Sequence, residues 1–558
     1  MKNKLSIFLI AGICLLGLFL RFYKISSIPP GLERDETSIG YNAYSILQTG
    51  KDEYGKTFPL YFQAFGEYKL PGYIYASVIP IKLFGLNAFS VRFISALSGS
   101  LTIFFLYLLL QHLTKSKNSF FPIIGTFLLA INPWHIHFSR GAFEVTLALF
   151  FLVVGTWLFF ISEKKKVLLI FAILFIMLAA YTYNIARIFS PVLLLSLFFF
   201  TKNQIKFSKK LFISSFVWAI ILFLPIILTL RAAGGASSAS GAIIFSSADT
   251  KATLLEFKSY LVTGYPIIFS KIFFSIPILL IWQYIINIIS YISIPFFFLT
   301  GSSHGNHGIG NVGEFYLFEL PTILIGLFFI FKEKIAWAKI YIPWAIGIIL
   351  IAALTKDNPY ATRSFFLIIP FIIFSAIGLE QIVKYFFALK NIGKIFLLLC
   401  LLFAAFNIMY YFTSYYFRFP TLYAKAWNQQ DQALSNYIEK NQDAYKEVIF
   451  DTKANFPYTS FLFYSAYPPK KFQSEEVRYA ADSEGFTMVK SFGEYEFTDN
   501  LSKVTSPNTL IVTNGDTNLS LPLVTSFHYP KRPIVIANGQ NILQYPVTES
   551  AYVLYKTH

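Results

Sequence analysis

LSIFLIAGICLLGLFL (residues 5–20) is followed after a short interval by the acidic stretch GLERDETSIG (residues 31–40). The first stretch is apolar and close to the length of about 20 residues that a helix needs to cross a bilayer. No small-residue cleavage site follows it and many further apolar segments do, so we expect a retained first membrane helix rather than a signal peptide. Glu33, Asp35 and Glu36 then lie just outside the membrane.

The composition extends the apolar pattern to most of the chain. Of 558 residues, 55% are hydrophobic and only 13% are charged, which predicts an α-helical polytopic membrane protein. Residues 267–299 leave open either two further crossings or helices lying in the interface, so we expect about 11–13 transmembrane helices. The other apolar segments begin near Leu5, Leu86, Phe120, Phe143, Val167, Ile188, Leu211, Leu317, Ile335, Ser364 and Ile395.

The placement of basic residues predicts the orientation of these helices. The net charge is +17, yet from Tyr415 onward 13 Lys and Arg are balanced by 14 Asp and Glu, so the excess belongs to the membrane part. Such an excess sets topology and attracts lipid headgroups, and does not indicate nucleic-acid binding. The excess basic residues lie in alternate connections between the apolar segments, and these connections are predicted to face the cytoplasm. The residues are Lys2, Lys4, Lys115, Lys117, Lys164, Lys165, Lys166, Lys202, Lys206, Lys209, Lys210, Lys332, Lys334, Lys384, Lys390 and Lys394.

Two domains are expected in a multi-pass protein of the plasma membrane. Residues 1–414 are predicted to form the membrane domain, with a first outer loop at 23–85. Residues 415–558 are less apolar and combine strand-like EVIF and TLIVT with helix-like WNQQDQALSNYIEK, so we predict a soluble extracytoplasmic α/β domain. GGASSASGA (residues 234–242) is typical of a flexible loop.

Polar residues are concentrated at the predicted outer ends of the apolar segments. A transport pathway generally needs ionisable groups near the bilayer midplane, whereas chemistry on a lipid headgroup needs them at the interface. Asp35, with Glu36 beside it, has the position of a general base toward a hydroxyl or amine. The alternative is that Asp35 caps a helix starting near Glu36, since Asp is a good N-cap.

Four cations share this predicted side and suit a phosphate group, namely Lys69, Arg140, Arg187 and Arg363. The alternative for each is a side chain reaching toward lipid headgroups. Tyr41, Tyr68, Tyr73, Tyr181 and Tyr183 suit stacking on a sugar, or else the aromatic belt of a membrane protein. The spacings of His135 and His137, and of His304 and His307, match no strong zinc pattern, so no metal is expected.

These residues carry a family resemblance across roughly residues 5–412. PPGLERDETSIGYNAYSILQTG, GEYKLPGYIY, NPWHIHFSRGAFEVTLALFF, YTYNIARIFSPVLLL, GEFYLFELPTILIGL and NPYATRSFFLIIP resemble the polyprenyl-phosphate-dependent glycosyltransferases of the GT-C superfamily. The similar branch contains protein O-mannosyltransferases and lipid A aminoarabinose transferases, the glycosyltransferase family 39 type. The sequence departs from it at EYKLP, where Tyr68 separates Glu67 from Lys69 and relatives commonly have EKPP.

The resemblance implies transfer of a sugar, with inversion, from a polyprenyl-phosphate donor to a protein, lipid or glycan acceptor on the extracytoplasmic face. Asp35 would be the base and Glu36 its support, while Lys69, Arg140, Arg187 and Arg363 would bind the donor phosphate. Glu67, Tyr68 and Tyr183 would contact the sugar or acceptor. No metal, nucleotide or other cofactor is implied, and the sequence has no P-loop signature. A flippase or transporter of lipid-linked saccharides is the alternative function, and a scaffold whose outer domain binds a partner is a third.

Overall fold

The structure is a computed structural model of the chain. It describes residues 2–64, 67–114, 119–201, 208–232, 243–245, 248–262, 275–454, 456–481, 487–504, 506–538 and 541–557. Lys115, Lys117, Lys202, Lys206 and the predicted flexible loop at 234–242 lie outside these ranges. The chain forms two compact units. We name them the helical unit (Met1–Tyr23, Ser95–Ser139, Phe143–Phe412) and the sheet unit (Lys24–Ile94, Arg140–Ala142, Thr413–His558).

The helical unit consists of long apolar helices. Within the described ranges, eight stretches of helix are long and apolar enough to cross a membrane, and three shorter apolar helices accompany them. Each of the apolar segments predicted from the sequence coincides with a helix, because a chain in lipid must satisfy its own backbone hydrogen bonds. The helices that lie wholly or mostly in this unit are Lys2–Phe22, Ala88–Leu113, Phe121–Ile131, Pro133–Phe138, Glu144–Ile161, Leu168–Ala180, Asn184–Thr201, Lys209–Ala232, Ala248–Val262, Ile276–Ser290, Glu319–Lys332, Tyr341–Ala353, Ala361–Ser364, Ile368–Ala388 and Lys390–Thr413.

For the apolar segment at 267–299 the sequence left open two crossings or helices lying in the interface. Its described part holds one stretch long enough for a single crossing, Ile276–Leu299. The helix Ile276–Ser290 continues into a short π-helical turn at Pro295–Leu299. Residues 267–274 lie outside the described ranges.

Two helices of the helical unit cross at glycines. A Cβ atom on Gly326 would overlap the carbonyl oxygen of Phe374, and one on Gly378 would overlap that of Thr322. Beside this crossing the hydroxyls of Thr322 and Ser375 lie 2.7 Å apart. Small residues at the crossing therefore let the helices Glu319–Lys332 and Ile368–Ala388 pack backbone against backbone.

The described strands of the sheet unit are β1 Phe62–Ala64, β2 Glu67–Lys69, β3 Glu447–Asp451, β4 Val477–Arg478, β5 Val489–Phe492, β6 Tyr495–Thr498, β7 Thr509–Asn514, β8 Leu523–His528, β9 Arg532–Asn538, β10 Asn541–Val547 and β11 Ser550–Lys556. Seven of them form a mixed sheet of order β4-β5-β6-β3-β7-β11-β8, while β1 pairs with β2 and β9 with β10 in separate two-stranded sheets. Central β3 runs parallel to β6 and β7, and the remaining neighbours are antiparallel. EVIF and TLIVT form β3 and β7, which confirms the predicted α/β character of this region.

Helices complete the sheet unit, and one of them contains the acidic stretch of the predicted first outer loop. They are Arg34–Thr49, Pro71–Phe84, Phe419–Leu422, Asp431–Asn441, Tyr458–Tyr464 and Pro469–Glu475. Tyr41 is buried in the same apolar core as Phe450 and Phe461, and its hydroxyl donates to the carbonyl of Tyr467 at 3.0 Å. The helix Arg34–Thr49 therefore packs directly on the C-terminal α/β layer.

Candidate active site

The acids of GLERDETSIG form the first turn of the helix Arg34–Thr49. Glu33 is the N-cap, its carboxylate accepting a hydrogen bond from the Asp35 N–H at 2.7 Å. The Glu33 N–H in turn donates to Glu36 Oε2 at 3.1 Å, which completes a capping box. The alternative that Asp35 caps this helix is wrong, because Glu33 has that role and frees the Asp35 carboxylate. Burial, followed by the charge of Asp35, raises the pKa of Glu33 well above its usual range.

The structure brings Asp35 and Lys69 together. Asp35 Oδ1 lies 3.1 Å from Lys69 Nζ, and the lysine side chain is only 4% exposed while that of Asp35 is 41% exposed. Lys69 is held at the end of β2, opposite Phe62 of the antiparallel strand β1. The lysine is thus fixed, and the carboxylate beside it remains open to a substrate at the positive end of a helix dipole.

Glu36 has a different environment from Asp35. Its carboxylate is buried and receives Arg92 Nε on Oε1 and Arg92 Nη2 on Oε2, each at 2.9 Å. Oε1 also accepts the backbone N–H of Ala142 at 2.8 Å. With both oxygens occupied, Glu36 is suited to holding the start of the helix rather than to accepting a substrate proton.

Arg92 fixes the segment that leads into this helix, and sequence reasoning missed it. Its Nη1 donates to the carbonyls of Ile25 at 2.8 Å and Pro29 at 3.0 Å, and its Nη2 also donates to that of Gly31. The guanidinium lies 5.6 Å from the ring centre of Trp427. The available signal was an arginine inside the apolar stretch NAFSVRFISAL (residues 87–97), since such residues in membrane helices usually have partners.

Arg140 also belongs to the sheet unit. The side chain is fully buried and Nη2 donates to the carbonyl of Ile28 at 2.9 Å. Its guanidinium lies 5.5 Å from the ring centres of both Tyr415 and Tyr416. These contacts tie Arg140 to the segment before the acidic helix, and its assignment to the donor phosphate stays a prediction.

Two further predicted residues lie on β2 beside Lys69. Tyr68 is half-buried, with its ring centre 5.2 Å from that of Tyr61. The backbone of Glu67 pairs with Ala64, and its side chain lies outside the described part of the structure. Their contacts with a sugar or acceptor stay predictions.

The remaining predicted residues belong to the helical unit. Arg363 lies 4.1 Å above the ring of Tyr360 and donates to the Thr355 hydroxyl at 2.9 Å. Tyr183 is half-buried in an edge-to-face contact with Phe366, and Arg187 lies in the first turn of the helix Asn184–Thr201. Their place in a donor site also stays a prediction.

Several other candidates are structural. Tyr41 and Tyr73 are fully buried and cannot stack on a sugar. His135 is also fully buried, with its Nδ1 2.5 Å from Arg21 Nη2. Among the described residues, no three His, Cys, Asp or Glu side chains are arranged to hold a metal ion.

Comparison with known proteins gives matches in structure. No protein-family model matches the sequence, and no curated protein is significantly similar to it. ArnT from Cupriavidus metallidurans in the apo state aligns over 100% of this chain and 98% of its own, with a TM-score of 0.53 and 10% identity. The same protein bound to undecaprenyl phosphate aligns over 98% of both chains, with a TM-score of 0.51 and 11% identity.

The chain has the GT-C fold. This confirms the fold expected from the sequence resemblance, an α-helical membrane part with a C-terminal α/β region. The archaeal oligosaccharyltransferase AglB from Archaeoglobus fulgidus, in complex with an inhibitory peptide and a dolichol-phosphate, also aligns with this chain. That match covers 83% of this chain with a TM-score of 0.50 and 14% identity, and this chain spans 64% of the length of AglB.

Proposed function

We propose that the chain is a multi-pass membrane glycosyltransferase that moves a sugar from a polyprenyl-phosphate donor to an acceptor on the extracytoplasmic face. The observation that carries this proposal is the pair formed by the half-exposed Asp35 carboxylate and the buried Lys69 ammonium, 3.1 Å apart. A base beside a fixed cation suits a reaction that takes a proton from one partner and releases a phosphate on the other. The GT-C fold supports the same chemistry, since ArnT binds undecaprenyl phosphate and AglB binds a dolichol-phosphate.

The proposed reaction is a single displacement. Asp35 takes the proton of an acceptor hydroxyl or amine as that atom bonds to the anomeric carbon of the sugar. The bond between the anomeric carbon and the phosphate oxygen breaks, and the polyprenyl phosphate leaves with the electron pair. Attack opposite the leaving group inverts the anomeric centre. Lys69 stabilises the charge of the leaving phosphate, and Arg140, Arg187 and Arg363 are the further candidates for that role.

In this proposal Glu36 and Arg92 are positioning residues that hold the carboxylate of Asp35 in place. The buried pair fixes the first helical turn, so the carboxylate of Asp35 stays at one place against Lys69. Reacting groups gain most when their geometry is set before the substrate arrives. The acceptor class is proposed broadly as a protein, lipid or glycan.

The test compares wild type with Asp35→Asn and with Asp499→Asn, an exposed residue of the sheet unit, as the matched control. The purified proteins in detergent receive a panel of radiolabelled polyprenyl-phosphate sugars and membrane extract as the acceptor source. We expect transfer by wild type and by Asp499→Asn, with a loss of at least about 100-fold in Asp35→Asn and unchanged donor binding. Transfer by Asp35→Asn at the wild-type rate would refute the assigned base. Movement of donors across liposomes without transfer would favour the flippase.

A further inference from the structure

A glycine-rich loop of the helical unit, residues 300–316 (TGSSHGNHGIGNVGEFY), folds into a closed structure. The buried carboxylate of Glu314 accepts the N–H of Ser302 at 3.0 Å and joins the two ends of the loop. A Cβ atom on Gly308 would overlap the Ser302 carbonyl oxygen, and one on Gly301 would overlap that of Val312. The glycines therefore allow a tight packing that holds the rest of the loop in place.

Two histidines of this loop form one cluster with an aromatic ring. His307 N–H donates to the His304 carbonyl at 3.0 Å, and the two imidazole centres lie 5.7 Å apart. Both rings contact Tyr360, at 4.5 Å from His304 and 4.9 Å from His307. His307 is 7% exposed. Nδ1 of each histidine is buried without a hydrogen-bond partner among the described residues.

The positively charged guanidinium of Arg363 lies near these imidazoles. The Arg363 guanidinium lies 4.1 Å from the centre of the Tyr360 ring that both histidines contact. The charged and titratable groups that face the pair are His137 and Arg363 toward His307, and Asp357 and Arg363 toward His304. Burial, His304, His137 and Arg363 lower the pKa of His307 to about 3, and burial also lowers that of His304. Both effects favour the neutral form of the two imidazoles in the free protein.

A buried nitrogen without a partner costs free energy that a ligand can recover. A neutral imidazole has one donor nitrogen, whereas a protonated one donates from both. A guanidinium and two imidazoles grouped around one tyrosine ring suit a planar or tetrahedral oxyanion, and the terminal oxygens of a phosphate can accept from donors of this kind. A cation is a poor ligand here, because Arg363 already supplies positive charge.

We propose that His304, His307 and Arg363 form a binding site for a phosphate group and that the imidazoles take up protons as the phosphate binds. The identity of the natural ligand rests on the proposed function, in which the phosphate is that of the polyprenyl donor or leaving group. A free phosphate ion has the same chemistry and is the other source.

The sign of the pH dependence follows from linkage. A bound phosphate places negative charge beside the imidazoles and favours their protonated form, so its affinity rises as the pH falls. We expect up to about tenfold tighter binding per pH unit for each proton taken up. This increase in affinity should continue down to about pH 6, where a phosphate monoester itself begins to take a second proton.

The test uses the full-length protein in detergent with ¹⁵N-labelled histidine, since the chain has 7 histidines and their imidazole signals are few. The probes are farnesyl phosphate, a short prenyl phosphate, and inorganic phosphate, each at pH 6.5. The imidazole ¹⁵N signals of two histidines should shift toward the positions of protonated imidazole when a probe binds. His304→Gln and His307→Gln should each remove one of these two signals. His528→Gln, at a surface residue of the sheet unit, is the matched control and should leave the response intact.

The two probes distinguish the sources of phosphate. A response to farnesyl phosphate at concentrations where inorganic phosphate gives none assigns the site to a lipid-linked phosphate, and equal responses assign it to free phosphate. If neither probe moves the two signals, or if the doubly substituted protein binds farnesyl phosphate as tightly as wild type, the site is refuted. Asp35→Asn should retain the change in the imidazole signals on probe binding. The transfer assay and the histidine measurement can therefore fail independently of each other.

Discussion

Arg92 and Glu36 form a two-point ion pair in which Nε and Nη2 of the guanidinium each lie 2.9 Å from a carboxylate oxygen. Both side chains are buried, and the pair joins the first turn of the helix Arg34–Thr49 to the helix Ala88–Leu113. The pair lies one residue from Asp35, so it governs the position of the proposed base. Removing one partner of such a pair leaves an uncompensated buried charge.

Arg92→Met or Glu36→Gln should each lower the free energy of unfolding by about 3–5 kcal/mol. The double variant should lose less than the sum of the two, because neither charge is then left without its partner. Chemical denaturation of the purified protein in detergent measures all three. Arg34→Met is the control, since Arg34 is exposed and lies 3.9 Å from Glu33. Strictly additive losses would contradict direct coupling.

Lys69→Met should weaken binding of the polyprenyl-phosphate donor by about 1.5–3 kcal/mol, the value of a hydrogen bond to a charged group. Methionine keeps much of the buried stem while removing the ammonium. Binding is measured with a fluorescent prenyl phosphate. Lys51→Met, an exposed lysine of the same loop, should bind the donor like wild type. Equal affinity in both variants would remove Lys69 from the phosphate site.

Gly31→Ala should destabilise the segment that leads into the acidic helix. The new Cβ would overlap the Trp427 carbonyl oxygen and lie 2.7 Å from Gln429 Cα, and backbone atoms yield less easily than a side chain. We expect a loss of about 1–3 kcal/mol, the usual range for overpacking. Gly12→Ala is the matched control, because its added Cβ would have no atom within 4 Å beyond the adjoining backbone of its own helix. Thermal unfolding followed by intrinsic fluorescence compares them, and equal melting temperatures would refute the expectation.

The buried Glu53 should make the protein less stable as the pH rises. Burial raises its pKa to about 7, despite a 3.3 Å hydrogen bond from the Tyr458 hydroxyl. The folded chain therefore holds this proton more tightly than the unfolded chain, where the pKa of a glutamate is about 4.3. Stability is then lost between about pH 4.5 and 7, by up to roughly 3 kcal/mol.

Glu53→Gln should reduce this loss, since its amide stays neutral across the range. The melting temperature at pH 5 and pH 8 measures it, with Glu439→Gln, an exposed glutamate of the sheet unit, as control. Part of the dependence should remain, because burial also raises the pKa of Asp431 to about 7. An unchanged difference between the two pH values would contradict the assignment to Glu53.

The membrane helices were within reach of the sequence, because apolar length is a local property. The family resemblance assigned Asp35 and Lys69 separate roles in one reaction and did not predict their ion pair. The sequence analysis missed Glu33 as the N-cap because Glu33, Asp35 and Glu36 are all acids near the start of the helix. Only the backbone geometry shows which of them occupies the N-cap position. The Arg92–Glu36 pair joins residues 56 positions apart, and a single sequence does not show which arginine meets which acid. Strand order in the C-terminal sheet depends on similarly distant pairings.

The sheet unit combines two distant parts of the chain, residues 24–94 and residues 413–558. Thr37 Oγ1 lies 3.0 Å from Thr459 Oγ1, and the Tyr41 hydroxyl donates to the Tyr467 carbonyl, so the helix bearing Asp35 packs on residues 422 and 426 positions later in the chain. A nascent chain thus exposes its acidic loop long before the packing partner leaves the ribosome. The proposed base Asp35 therefore reaches these surroundings only after residue 467 has been synthesised, and a chain cut short before residue 459 would insert its helices yet leave the helix bearing Asp35 without these contacts.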